Sequence, residues 1–124
     1  MSELSGQIGQ IALTVSDVET ALGFYRDILG LPFLFQPSPQ LAFLQAGTTR
    51  LMLTTPQGAG AVGANSVLYF SVTDINASYQ ALVAKGATAE RAPQLAAKMS
   101  DHELWLGFIR DPDQNLIGLM AELR

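Results

Sequence analysis

Few residues in this chain have the type and spacing that chemistry demands. The most suggestive run is Gly58-Ala59-Gly60-Ala61-Val62-Gly63, a literal G-x-G-x-x-G. A dinucleotide loop of that pattern must follow a strand and open a helix, so that amides and helix dipole face the pyrophosphate. Here Ala64-Asn65-Ser66 leads instead into Val67-Leu68-Tyr69-Phe70, which reads as a strand. The run is therefore expected to be a flexible linker. There is one histidine and no cysteine. Disulfides, thiolate metal sites, iron–sulfur clusters and cysteine nucleophiles are excluded, as is any mechanism that needs two imidazoles. No G-x-S-x-G is present to support serine hydrolysis. His102 lies in Ser100-Asp101-His102-Glu103. A lone histidine between two acids is ordinarily solvated; its chemical alternative is a general acid or base on a covering loop. Neighbours on an extended chain point opposite ways, so this triplet is not a metal motif. Asp111 and Asp113 belong to an Asp-Pro-Asp turn. Arg50 is the one cationic candidate for clamping an anionic group, against the plainer reading of a strand-start arginine.

The rest of the composition sets bounds. With 124 residues, the chain is one domain's worth, or two small halves sharing a core. Hydrophobic residues are 48% and charged residues 15%, which excludes disorder. Eleven acids against seven Lys and Arg give a net charge of −4. An acidic domain without a basic run is not expected to bind nucleic acid. No apolar run is long enough to span a membrane. Met1-Ser2-Glu3-Leu4 does not open an export signal, so a cytoplasmic location is expected.

These residues must be positioned by two similar sets of elements. Ile8 to Val15 reads as a strand, and Ser16-Asp17-Val18-Glu19 as a capping box in which Ser16 bonds the Glu19 amide. Val18, Leu22, Tyr25 and Ile28/Leu29 follow at helical spacing, and Gly30 stands where a left-handed cap is wanted. Short strands are expected over Leu31–Gln36, Leu41–Gln45 and Arg50–Thr55. The second half repeats the order. Val67–Val72 reads as a strand, and Thr73-Asp74 starts a helix with Ile75, Tyr79 and Leu82/Val83 on one face, ended by Gly86. A weaker strand near Ala87–Arg91 is followed by an expected loop from Pro93 to Glu103. Strands Leu104–Arg110 and Leu116–Ala121 are then joined by a turn at residues 111–115. Gln114 would cost energy in that turn if its backbone is left-handed.

The halves align at an offset of 57 for their first strands and 66 for their last, so Gln10 matches Val67 and Met52 matches Gly118. A tandem repeat is a statement about the whole fold. One helix followed by three strands is not the alternation of a doubly wound sheet. The expectation is α+β: two tandem βαβββ modules with curved sheets forming a half-open cleft, helices outside. Module 1 covers about 7–55, a linker about 56–65, and module 2 about 66–123.

Three segments give this repeat a family likeness: Gln10-Ile11-Ala12-Leu13-Thr14-Val15-Ser16-Asp17, Phe24-Tyr25-Arg26-Asp27-Ile28-Leu29-Gly30-Leu31, and Phe108-Ile109-Arg110-Asp111-Pro112-Asp113. Together they resemble the vicinal oxygen chelate superfamily, which includes glyoxalase I, extradiol dioxygenases and bleomycin and fosfomycin resistance proteins. The likeness implies a divalent metal in a cleft between modules, with ligands from the first and last strand of each. Carried over, those positions are Gln10, Met52, Val67 and Gly118. A divalent ion wants imidazole or carboxylate at about 2 Å. Gln10 offers one amide oxygen, a residue also found there in some metal-bearing relatives; Met52 offers a soft thioether and the other two offer nothing. The sequence therefore predicts no metal and no other cofactor.

Strand alternation assigns the remaining lining. Gln10, Ala12 and Thr14 share a face, as do Arg50, Met52 and Thr54, then Val67, Tyr69 and Ser71, then Leu116, Gly118 and Met120. Phe108 is the expected cross-strand neighbour of Gly118; a slip of one residue would bring in Trp105 instead. Gly118, lacking a side chain, favours a void. The expected ligand-binding set is Gln10, Arg50, Met52, Val67, Tyr69, Trp105, Phe108, Gly118 and Met120. It suits a small organic ligand, whereas the opposite expectation is that these side chains fill the space. The resemblance allows two functions: a metal-free binder of a small, partly aromatic molecule, or a metal-dependent or metal-free lyase, isomerase or dioxygenase, the metal-free form having His102 as its catalytic candidate. A two-fold homodimer is expected, because half-sheets leave edges and apolar surface to cover.

Overall fold

The computed structural model describes residues 6–56, 61–63 and 65–124. The chain divides into two compact units, Met1–Val62 and Gly63–Arg124. Each is a βαβββ module, and the fold is α+β.

In the first unit β1 (Gln10–Thr14) leads into α1 (Val18–Leu22), which widens into a π-helical stretch, Gly23–Ile28. Strands β2 (Phe33–Ser38), β3 (Leu41–Ala46) and β4 (Thr49–Thr54) follow. The sheet order is β1-β4-β3-β2, with β1 parallel to β4 and the other pairs antiparallel. Leu13, Leu51, Leu53 and Leu44 are buried, as are Val18, Ala21 and Leu22 of α1, which lies against β3 and β4. This is the period-2 and period-3.6 patterning of one core.

The helix cap lies one residue later than the sequence pattern suggests. Asp17, not Ser16, is the N-cap: its carboxylate accepts from the Thr20 amide at 2.8 Å and the Thr20 hydroxyl at 2.7 Å. An anion at a helix N-terminus outcompetes a neutral hydroxyl. Glu19 is thereby released and accepts from Gln36 Nε2 at 3.1 Å. The wider turn shows in the Leu29 amide, which donates five residues back to the Phe24 carbonyl at 2.9 Å. It buries adjacent rings, Phe24 and Tyr25, in an edge-to-face contact at 4.9 Å. Gly30 then closes the helix at φ 79°, where glycine alone carries no Cβ penalty.

The second unit repeats the plan with β5 (Leu68–Ser71), α2 (Ile75–Ala84), β6 (Thr88–Lys98), β7 (Glu103–Arg110) and β8 (Leu116–Leu123), in the order β5-β8-β7-β6. Asp74 caps α2 by accepting from the Ala77 amide at 3.1 Å. Ile75, Leu119 and Ala121 form a cluster that Phe70, Tyr79, Leu82 and Trp105 cover. The expected loop from Pro93 to Glu103 does not exist in that form. β6 runs eleven residues to Lys98, and a short turn closes with Met99 N–H donating to His102 O at 2.8 Å. β6 is the outermost strand in the sheet order and contains three register shifts against β7, so it tolerates Pro93.

The β7–β8 turn is built on a buried carboxylate. Asp111 accepts from the amides of Asp113 and Asn115 at 2.9 and 2.8 Å, and from Asn115 Nδ2 at 2.8 Å. Gln114 adopts φ 68°, the left-handed conformation anticipated from its place in the turn. Of the G-x-G-x-x-G run, residues 58–60 lie outside the described residues; Gly63 sits in a turn and the next element is β5, a strand.

Candidate functional site

Each sheet has one face toward its helix and one face away from it. The register fixes which residues occupy the open face. In the first sheet Gln10 pairs with Arg50, Ala12 with Met52, and Met52 with Phe43. Phe35 pairs with Phe43 after a register shift in β2. These side chains form a connected set. The Phe35 and Phe43 rings stack at 4.7 Å with 28° between planes. The Arg50 guanidinium lies 5.1 Å from the Phe43 centroid, and its Nε donates to Gln10 Oε1 at 2.8 Å. Gln10 Nε2 approaches the Met52 sulfur at 3.6 Å. Phe43 is thus nearly covered at 8% exposure, while Phe35 leaves 47% of its surface open.

In the second sheet Tyr69 pairs with Gly118, and Gly118 with Phe108. The offsets read from sequence hold: Ala12 opposite Met52 corresponds to Tyr69 opposite Gly118. Met120 lies on this face across from Leu106, and Val67 immediately precedes β5. The void expected at Gly118 is filled. A Cβ there would overlap Tyr69 Cδ2, with Cε2 at 2.7 Å and Cγ at 3.0 Å, so the tyrosine ring lies across the glycine. The ring also meets Phe108 edge-on at 5.8 Å.

Trp105 is not on this face. It pairs with Ala121, packs on the Ile75–Leu119–Ala121 cluster under α2, and donates its indole N–H to Glu103 at 3.2 Å. The Phe108–Gly118 register excludes the one-residue slip that would have turned it over.

His102 stands at the β6–β7 turn and is not the freely solvated residue expected of a loop. Its side chain is 14% exposed; Nδ1 lies 2.7 Å from Asp101 and Nε2 lies 3.8 Å from Glu122. Arg124 reaches both of those carboxylates at 3.8 and 3.7 Å. A hollow of about 460 Å³ beside it is lined by Lys98, Met99, Asp101, His102, Glu103, Leu123 and Arg124. Both imidazole nitrogens face carboxylates, an arrangement that ties the turn to the end of β8.

The residues at the implied metal positions do not fit a metal. Gln10 Oε1 is taken by the Arg50 N–H, which also places a positive charge beside the only oxygen donor of the set. Val67 and Gly118 have no donor atoms in their side chains, and the Met52 sulfur is soft. Among the described residues no group of three or more His, Asp or Glu is arranged to hold a metal.

Sequence reasoning missed Phe35, Phe43 and Arg91, the last of which pairs with Phe108 and lies 5.8 Å from its ring centroid. Phe43 was within reach: the β3–β4 hairpin pairs Leu41 with Thr54, which puts Phe43 opposite Met52. Phe35 and Arg91 depend on bulges that no alternation rule supplies.

Comparisons agree with this architecture. Residues 7–119 match the model of the Glyoxalase/Bleomycin resistance protein/Dioxygenase superfamily. An uncharacterized protein, YraH, of Bacillus subtilis (strain 168) is 29% identical over 130 residues, covering 92% of this chain and 97% of that one. The crystal structure of lactoylglutathione lyase from Agrobacterium tumefaciens superposes with a TM-score of 0.79 at 24% identity, covering 95% of each chain. That of TnmS3, an antibiotic binding protein from Streptomyces sp. CB03234, does so with 0.78 at 23%, covering 98% of this chain and 99% of the other. With the paired modules, the repeated register and a match along nearly the whole length, the chain belongs to the glyoxalase/bleomycin resistance protein/dioxygenase superfamily.

Proposed function

We propose that this chain is a metal-free binder of a small organic molecule with a planar apolar body, held on the open face of the first sheet. The observation that supports this is the stacked Phe35–Phe43 pair, with Phe35 half open and the Arg50 guanidinium over Phe43. An aromatic platform edged by a few polar groups is what recognition of such ligands uses. The antibiotic binding protein TnmS3 gives a precedent for binding on this fold. Binding of this kind needs no catalytic group.

A thermal-shift screen of planar aromatic compounds tests the reading, because a binder at a hundredfold excess over Kd stabilises by about 2.7 kcal/mol. Phe35→Ala removes an exposed ring without opening the core. It should weaken a hit by about 1 kcal/mol, roughly fivefold in Kd. A chelator should change neither the melting temperature nor the affinity. Hits that are indifferent to Phe35→Ala, or that require added metal, would refute the proposal.

A further inference from the structure

The second sheet carries a feature of its own at Arg91. Ala89 pairs with Ile109 and Arg91 with Phe108, so Glu90 and Arg91 together oppose a single step of β7. That is a β-bulge, and it changes where side chains point. Neighbouring strand residues normally face opposite sides. Here Glu90 and Arg91 both line one hollow of about 200 Å³, with Phe108, Arg110 and Leu116.

Their partners differ. Glu90 accepts from Arg110 Nε at 3.0 Å, and Arg110 also donates to the Gln114 carbonyl at 2.9 Å. Arg110 and Glu90 therefore satisfy and neutralise each other. Arg91 has no hydrogen-bond or ion-pair partner among the described residues; its guanidinium lies 5.8 Å from the Phe108 centroid. Phe108 is itself steadied by the edge of Tyr69. The hollow thus holds one uncommitted positive charge, in a chain whose net charge is −4.

The corresponding place in the first sheet sharpens the contrast. There the β2 register shift brings Phe35, a ring, onto Phe43. In the second sheet the equivalent shift brings a guanidinium onto the equivalent ring. The same backbone device delivers an apolar surface in one module and a forked donor in the other.

We infer that the Arg91–Phe108 hollow is a binding site for the carboxylate of a small aromatic acid, its ring against Phe108 and Leu116 and its carboxylate on the Arg91 fork. A guanidinium pairs with a carboxylate through two parallel N–H bonds, and an aromatic floor lowers the competition from water. The hollow is smaller than a drug-sized pocket, so it suits a single ring system or one end of a larger ligand. This site stands on the second sheet alone and does not depend on the first-sheet platform.

The test is calorimetric titration with 2-naphthoate and its neutral isostere 2-naphthamide. The acid should bind at least about tenfold more tightly than the amide. Arg91→Gln, at an exposed position, should erase that preference, and Arg91→Lys should restore only part of it. The same loss of preference on Arg91→Gln should be seen in a Phe35→Ala background, where the first-sheet platform no longer holds either compound. Equal binding of acid and amide, a preference that survives Arg91→Gln, or no binding of the acid up to about 10 mM would each overturn the inference. Because the first-sheet platform is read out by Phe35→Ala, failure at one face is distinguishable from failure at the other.

Discussion

Replacing Gly118 with alanine should have opposite effects depending on whether Tyr69 is present. The backbone of Gly118 is outside the left-handed region, so alanine fits it. In a strand interior alanine is favoured over glycine by about 0.5–1 kcal/mol. In the native protein, however, the new methyl group would meet the Tyr69 ring, with Cε2 at 2.7 Å and Cγ at 3.0 Å. The ring must then leave its position. That breaks the edge contact with Phe108, worth about 0.5–1.5 kcal/mol. It also forces an altered side-chain torsion at a similar cost, about 0.5–1.5 kcal/mol. The balance is a net destabilisation of about 1 kcal/mol. In a Tyr69→Ala background nothing obstructs the methyl group, and Gly118→Ala should stabilise by about 0.5–1 kcal/mol. Urea unfolding of the four proteins, analysed with a common slope, closes the cycle. If Gly118→Ala has the same sign and size in both backgrounds, the ring does not lie on the glycine and the reasoning fails.

Other outcomes follow from the same physics. Gln114→Gly relieves a left-handed backbone worth about 1–2 kcal/mol and returns about 0.5–1 to unfolded-chain freedom, so a gain of about 0.5 kcal/mol is expected in denaturant unfolding; a loss would show that the turn requires the side chain. The Thr20 hydroxyl and amide hold the Asp17 carboxyl below its ordinary value of 3.8. A depressed folded-state pKa stabilises above the ordinary carboxylate range and ceases to do so as pH falls through the folded value. Asp17→Ala should therefore lower the melting temperature most near neutral pH, and the gap should close below about pH 4; a gap that persists in strong acid would show that the cap does not act through its charge. Phe33 and Leu34 are 42% and 41% exposed on β2, the outermost strand in its sheet order. A two-fold homodimer is expected, and sedimentation at micromolar concentration showing only monomer would contradict it.

The parts of the fold that were readable rest on local rules acting in agreement. Alternation in Gln10–Thr14 and Arg50–Thr54 separates polar from apolar faces. Gly30 marks a left-handed cap, and Asp-Pro-Asp marks a turn whose Gln114 is strained. The repeat matches Gln10 to Val67 and Met52 to Gly118, and the turn at residues 111–115 sets Phe108 as the expected neighbour of Gly118, which the β7–β8 register bears out. What could not be read depends on pairing partners. β6 is mostly exposed, contains Pro93 and bonds through bulges to β7 alone, so it has the composition of a loop. Trp105 was left open by a possible one-residue slip, which only the observed register resolves. The filling of Gly118 by Tyr69 is a rotamer of an exposed ring, which spacing does not encode. Arg91 was read as the end of a weak strand; its place over Phe108 comes from one extra residue in β6. Asp17 took the cap from Ser16 because two adjacent polar residues competed and the charged one won.

The parallel pairing of β1 with β4 has a consequence during synthesis. Gln10 and Arg50 are 40 residues apart, and at about 5–20 residues per second β1 waits roughly 2–8 s for its partner to be made. Until then Ile11, Leu13 and Val15 have no strand to bond, although the residues of α1, β2 and β3 have already been synthesised. Closing so long a loop is the slow part of building such a sheet. The nascent first module passes through a stage with its leading strand loose, and that is the stage at which a chaperone or another nascent chain competes for it.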